Sequence, residues 1–402
     1  MHNKLIIIWL ISALLSFLIA PEQGVSKIFF PFAAVTILVF TFSYVRLRYA
    51  EYLLFFSISF ASLFGFTQTL TGSHAESSNV ILYGLSFYTA SIAYLFANNS
   101  LNTSSLWSIS NPLLLSTGPI ALFYKSISYK KSKERFKYYI PFVIIGIFMF
   151  KVVASPLTEY FFLLEKTDIV SSLLFAVIFE LFIYMNFCGL SLLIYGIFGV
   201  LGYRIPLNFK QPFSSANLVE FWRGWHRSLS EVLKILFYKP LRGKFPLFVA
   251  LMGVYLASAM WHGVTFNFLA WGVFNAIFFW LTIQFLKRKF NKLAFVLMPF
   301  TIVIGRMIFA DSDTDRLIQK LSFDFTNFDA MSSILNTPIH SLISLLLGLA
   351  IVFIEISFRN ARVMQKRNYK YLRTPKMLAL LCCIGLLFIS NLGVDYAVYG
   401  QR

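Results

Sequence analysis

Two of the five histidines, His226 and His262, each follow a tryptophan directly, Trp225 and Trp261. They lie in one stretch, NLVEFWRGWHRSLSEVLKILFYKPLRGKFPLFVALMGVYLASAMWHGVTFNFLAWGVFN, residues 217–275. Imidazole is the side chain whose ordinary pKa, about 6.5, lets it take and return a proton near neutral pH. His226 falls in a basic, amphipathic piece and His262 at the end of an apolar run. A histidine at membrane depth is a functional-site candidate by default, and the chemistry it offers is proton transfer. A structural, hydrogen-bonded role is the alternative for either residue. Other chemistries lack their residues. There is no Gly-rich phosphate loop, no Cys-x-x-Cys and no catalytic carboxylate pair. The three cysteines, Cys188, Cys382 and Cys383, sit in apolar segments without metal-ligand spacing and read as small buried side chains. No metal or bound cofactor is expected.

The elements that must position these residues are set by composition. The chain has 402 residues, 58% of them hydrophobic and 13% charged, with 47 Phe. A soluble fold of this size cannot bury so much apolar surface, and several runs reach the ~18 residues that cross a hydrocarbon core. The net charge of +18 does not point to nucleic acid, because the basic residues cluster in loops between apolar runs, the pattern of cytoplasmic loops. Apolar runs fall at 5–20, 28–45, 52–70, 79–97, 138–154, 169–202, 245–262, 264–286, 293–309, 338–357 and 377–393. Pro112, Gly118 and Pro119 break the stretch 98–124, which reads as re-entrant or as a kinked span. The run at 169–202 is too long for an upright crossing, so it is strongly tilted or broken near Gly189. Glu180 within it must face the protein interior, where Asn186 is a candidate partner. In 203–244 the residues Leu229, Val232, Leu233, Leu236 and Phe237 share one helical face, the signature of an interfacial helix. His340 reads as interfacial.

Placing the basic stretches 125–137, 203–244, 287–292 and 359–376 in the cytoplasm is self-consistent. It gives about 11 transmembrane helices, with the N-terminus cytoplasmic, the C-terminus outside and the acidic loop 310–337 outside. His226 then falls on the cytoplasmic side and His262 toward the outer end of its span. The expected fold is an all-α polytopic integral membrane protein, with re-entrant and interfacial amphipathic segments around a central tunnel. It forms a single domain over 1–402. Trp222, Trp225 and Trp261 line that tunnel or form an interfacial belt.

The motifs together resemble the membrane-bound O-acyltransferase family. The closest likeness is to its bacterial branch of alginate O-acetylases and teichoic-acid D-alanyl transferases. The likeness is carried by YMNFCGLS at 184–191, IPLNFKQPF at 205–213, FWRGWHRSL at 221–229 and Tyr238-Lys239-Pro240-Leu241. Trp261-His262-Gly263, Asn267-Phe268 and Trp271-Gly272 complete it, in family order, over a core of about 183–309. GLSFYT at 84–89 and STGPI at 116–120 are weaker matches. Asn186, Leu192, Ile235 and Asn275 stand where the family commonly has acidic residues or a further histidine. The short link from Leu241 to Phe245 leans toward the alginate type.

The resemblance implies O-acyl transfer in a bacterial cytoplasmic (inner) membrane. An acetyl-like or D-alanyl-like group would pass from a cytoplasmic thioester, acetyl-CoA or an acyl-carrier protein, to a hydroxyl of an extracytoplasmic polysaccharide or to an acyl-relay protein. It implies His262 as general base, with His226 catalytic, donor-binding or structural. Asn267 and the Trp261 indole N–H are donors of the type that polarises a thioester carbonyl. Arg223, Arg227 and Lys234 would meet donor phosphates or anionic lipid headgroups. The carrier would dock at 203–244, with Trp225 and Tyr238 among the substrate-binding residues. The competing class is a transporter or flippase of a lipid-linked envelope precursor, which does no acyl chemistry.

Overall fold

A computed structural model describes residues 131–163, 168–262, 265–310, 334–357 and 372–387, with 91, 94–95, 97–98, 111, 125–126, 332 and 369. The runs expected at 5–20, 28–45 and 52–70 lie outside the described residues, as do nearly all of 79–97 and 98–124. The described residues are helical apart from one two-residue antiparallel pairing, Lys125 with Arg204 and Ser126 with Tyr203. Five helices among them are long and apolar enough to cross a membrane. The protein is a multi-pass membrane protein.

The helices, in order, are α1 (Ser132–Ile147), α2 (Ile169–Leu201), α3 (Leu218–Gly224), α4 (Arg227–Leu233), α5 (Leu247–His262), α6 (Phe266–Lys287), α7 (Asn291–Phe309), α8 (Ile339–Ser357) and α9 (Pro375–Leu387). Helix α1 continues through a π-helical stretch, Phe148–Ala154, and a 3₁₀ stretch, Ser155–Glu159, so a single rod of 28 residues results. Helix α2 is one unbroken helix of 33 residues, about 50 Å at 1.5 Å per residue. Of the two alternatives, a tilted helix or a break near Gly189, the unbroken helix is the one formed. Gly189 instead lets two backbones touch. A Cβ on Gly189 would stand 2.7 Å from the Phe150 amide nitrogen, and one on Gly146 would stand 2.7 Å from the Gly189 carbonyl oxygen. In an apolar medium, where burial gives helices little reason to associate, such small residues let van der Waals packing do it.

The amphipathic helix expected within 203–244 lies at 227–242, helical without a gap through α4, a π-helical stretch at Lys234–Tyr238 and a last turn at Lys239–Arg242; α3 and a bend precede it. Its apolar stripe is graded rather than uniform. Leu229 and Val232 are buried, Leu233 and Leu236 half-buried and Phe237 exposed.

Two compact units emerge. The first comprises 1–139, 194–207 and 228–240. In its described part, Gly199 lies flat against the Tyr139 ring, and Arg135 Nε donates to the Val200 carbonyl at 3.3 Å. The second comprises 140–193, 208–227 and 241–402. There α5, α6 and α7 pack in sequence, with α3 against α6 and α7. Gly272 makes the α5–α6 contact possible, because a Cβ there would meet the Tyr255 carbonyl oxygen and Ala259 Cβ at 3.0 Å each.

Buried polar groups of the second unit are tied pairwise. Tyr184 Oη donates to Glu355 Oε1 at 2.5 Å, and Cys188 Sγ and Tyr369 Oη are 3.0 Å apart, all four residues fully buried. Glu159 accepts from Ser341 Oγ at 2.6 Å and lies 2.8 Å from Nε2 of the partly buried His340. Cys188 is buried as expected, but Cys382 and Cys383 are exposed on α9. That helix spans 13 residues and buries only one side.

Substituting Gly189 by leucine forces α1 and α2 apart at their backbone contact. The expected cost is that of overpacking, about 1–3 kcal/mol. It should appear as a lowered melting temperature of the detergent-solubilised protein, with Gly189→Ala intermediate.

Candidate functional site

The site begins with a helix that is started and stopped with care. Asn217 caps α3 by accepting from the Glu220 amide at 3.0 Å, and Glu220 Oε2 accepts from the Ala216 amide at 2.9 Å, a reciprocal arrangement close to a capping box. After Gly224 the backbone opens. Trp225 is extended and His226 adopts a left-handed conformation with φ 41°. A non-glycine residue there costs roughly 1–2 kcal/mol and persists only where its surroundings fix it. They do so here. The Lys210 amide donates to the Gly224 carbonyl and the Arg227 amide to the Asn208 carbonyl, each at 2.8 Å. The strand-like piece 208–210 therefore clamps both sides of His226. A Cβ on Gly224 would stand 3.0 Å from the Lys210 carbonyl oxygen, which explains glycine at that position.

His226 is 9% exposed and lies edge-on to Phe187, with ring centroids 4.7 Å apart. Trp225 is buried against Phe209 and Phe221.

Trp261 joins the two motifs. Its ring lies 6.1 Å from His226 and 6.2 Å from His262, nearly parallel to the latter at 13°. The expected separation of the two histidines onto opposite sides does not hold. Both imidazoles flank one indole, about 6 Å away, and so share one site rather than spanning a ~30 Å core. Helix α5, which carries Trp261 and His262 at its end, has 16 residues and is about 24 Å long. The other walls around His262 are aromatic. Phe309 and Trp271 stand edge-on to it at 5.0 and 5.9 Å, and Phe268 is tilted at 6.1 Å.

The remaining expected site residues fall as follows. Asn267 is fully buried in the first turn of α6. Arg223 and Arg227 are exposed, the disposition an anionic surface or donor requires. Tyr238 belongs to the first unit, half-buried at the end of the π-turn. Asn275 donates to the Trp271 carbonyl at 2.9 Å and so caps its own helix turn. Among the described residues no cluster of three metal-ligating side chains occurs.

Two features escaped sequence reading. The Trp222 indole N–H is buried and meets no acceptor among the described residues, while its ring packs edge-on to Trp271 at 6.3 Å. Glu180 is buried as expected, but its partner is Arg306 of α7, not Asn186. The Arg306 guanidinium also lies 5.3 Å from the centres of both the Trp225 and Phe309 rings. The signal was available: a lone arginine inside an apolar run needs a buried partner.

The left-handed His226 after α3 and the second tryptophan–histidine pair at the end of α5 thus meet at Trp261, among aromatic rings. The sequence profile of the membrane-bound O-acyltransferase family matches residues 109–310. The chain belongs to that family. It is 27% identical over 224 residues to the probable alginate O-acetylase of Pseudomonas putida, covering 52% of this chain and 46% of that protein. To the peptidoglycan O-acetyltransferase of Helicobacter pylori it is 29% identical, covering 34% and 28%. To the teichoic acid D-alanyltransferase of Bacillus subtilis it is 24% identical, covering 44% and 50%. The chain thus spans about half the length, or less, of the curated relatives it matches.

The left-handed backbone gives a direct test of the clamp. His226→Gly should be more stable than His226→Ala by roughly 1 kcal/mol, since only alanine carries the strain. Thermal melting of the two purified variants measures it, and equal stabilities would contradict the conformation.

Proposed function

We propose that the protein transfers an acyl group from a thioester to a hydroxyl of an extracytoplasmic glycan or of a relay protein, with His262 as general base. The observation that carries the reading is the convergence of His226 and His262 on Trp261 inside an aromatic enclosure. Its matched relatives are named for O-acetyl and D-alanyl transfer to polymers. The donor is acetyl-CoA or an acyl-carrier protein, approaching 203–244, where Arg223 and Arg227 present exposed cations. The site works in a bacterial cytoplasmic membrane, within one domain over 1–402.

The chemistry follows from the groups present. The acceptor hydroxyl gives its proton to His262 as its oxygen attacks the thioester carbonyl. The tetrahedral intermediate then collapses, the carbon–sulfur bond breaks and the thiolate recovers the proton from the imidazolium. No net proton is consumed. The developing oxyanion charge would fall to neutral donors, Asn267 and the Trp261 indole N–H. His226, held by the backbone clamp beside Trp261, orients that indole.

His262→Ala should insert and accumulate normally while transfer falls by about two to four orders of magnitude, the range for a lost base. His262→Gln should not rescue, because an amide cannot take the proton. The assay reads ester-linked acyl groups on envelope glycans by mass spectrometry, beside membrane abundance. Full activity in the alanine variant would end the assignment, and a wild type without any acylated product would favour transport. Topology is tested separately. Cysteines introduced at 125–137 and 359–376 should label from the cytoplasm and those at 310–337 from outside.

A further inference from the structure

Arg306 is 5% exposed, Glu180 likewise, and the two form an ion pair between α7 and α2. Phe309, over whose ring the Arg306 guanidinium lies, belongs to a cluster with Trp271 against which Phe179, Trp222, Phe268 and Ile308 pack. A buried pair in such a setting is a poor device for stability, because well-packed apolar residues in its place are often neutral or stabilising. Its geometry suggests another use. The guanidinium carbon lies over two rings at once, 5.3 Å from the centre of each: Trp225, which directly precedes His226, and Phe309, whose ring stands nearly perpendicular to that of His262 at 5.0 Å. One side chain therefore contacts a neighbour of each histidine, across elements far apart in sequence. Gly305 beside it lets α7 approach α6 closely, since a Cβ there would stand 3.3 Å from Asn275 Nδ2 and 3.6 Å from Trp271 Nε1.

We infer that Arg306, held in place by Glu180, is a positioning residue that fixes the Trp225 and Phe309 rings and thereby sets the two imidazoles relative to each other. The inference rests on the acyl-transfer reading above. Arginine suits the task and lysine does not, because a planar cation can lie against two aromatic faces while its edge meets a carboxylate. A misplacement of about 1 Å at a reacting group can cost 10²-fold in rate, so the pair should act on turnover rather than on donor binding.

The test uses the full-length protein in reconstituted membranes. Thiol release from acetyl-CoA, or from an acylated carrier protein, is followed against donor concentration. In the double variant Glu180→Gln/Arg306→Met the buried charges vanish together. Abundance should match wild type, kcat should fall roughly 10- to 100-fold, and KM for the donor should stay within about twofold. Wild-type kcat per inserted molecule would overturn the inference. Arg306→Lys keeps the ion pair and guards against a folding failure. It should accumulate yet lose kcat, and wild-type turnover in it would equally overturn the proposal. His262→Ala is run in parallel. If it is inactive while the pair variants turn over normally, only the positioning role fails. If it is fully active, the base assignment fails and the inference with it. Adding the pair substitutions to His262→Ala should lower the residual rate no further, since a group that acts by placing the base has nothing left to place.

Discussion

Backbone that leaves helical geometry inside an apolar protein must find its hydrogen bonds elsewhere. The reversal between α3 and α4 meets that demand through residues 208–210, whose amide and carbonyl groups pair with Gly224 and Arg227. The same two bonds hold His226 in a conformation it would not choose. They also turn Trp225 inward, where it meets Phe209, Phe221 and the Arg306 cation. The clamp is thus the element from which the position of the first histidine follows.

The second histidine depends on close helix packing rather than on a clamp. Helices α5 and α6 touch where Gly272 omits a side chain, and α7 approaches α6 where Gly305 does so. These contacts bring Trp271 and Phe309 edge-on to His262. Edge-to-face geometry is favoured between aromatic rings and restricts their orientation. The imidazole is thus walled by aromatic rings, while Glu180 is engaged with Arg306.

Cost is visible in several places. His226, Gln211 and Tyr369 are non-glycine residues with φ values of 41°, 43° and 52°. Gln211 and Tyr369 meet, the Tyr369 amide donating to Gln211 Oε1 at 3.4 Å. Strained backbone of this kind clusters at functional sites because surrounding packing over-determines it. Here the packing comes from the Tyr184–Glu355 and Cys188–Tyr369 contacts, which anchor α2, α8 and the segment at Tyr369 beneath Trp225.

Membrane embedding, the helical class and the two tryptophan–histidine motifs were legible in the sequence, because hydropathy, charge clustering and motif order are local properties of the chain. So was the burial of Glu180, since a carboxylate in an apolar run has nowhere else to go. Its partner was not legible. Asn186 is close in sequence, whereas Arg306 lies on another helix, and only three-dimensional packing decides which reaches the carboxylate. The same reason left Gly189 open: a glycine in a long helix signals either a break or a close contact, and the neighbouring backbone at Phe150 makes it the latter. The relation of His226 to His262 shows the limit most sharply. Assigning loops to sides by charge separates them, while the fold brings both to Trp261. Charge patterns report which loops remain in water, but depth inside the protein is set by backbone turns and helix contacts between residues distant in the chain.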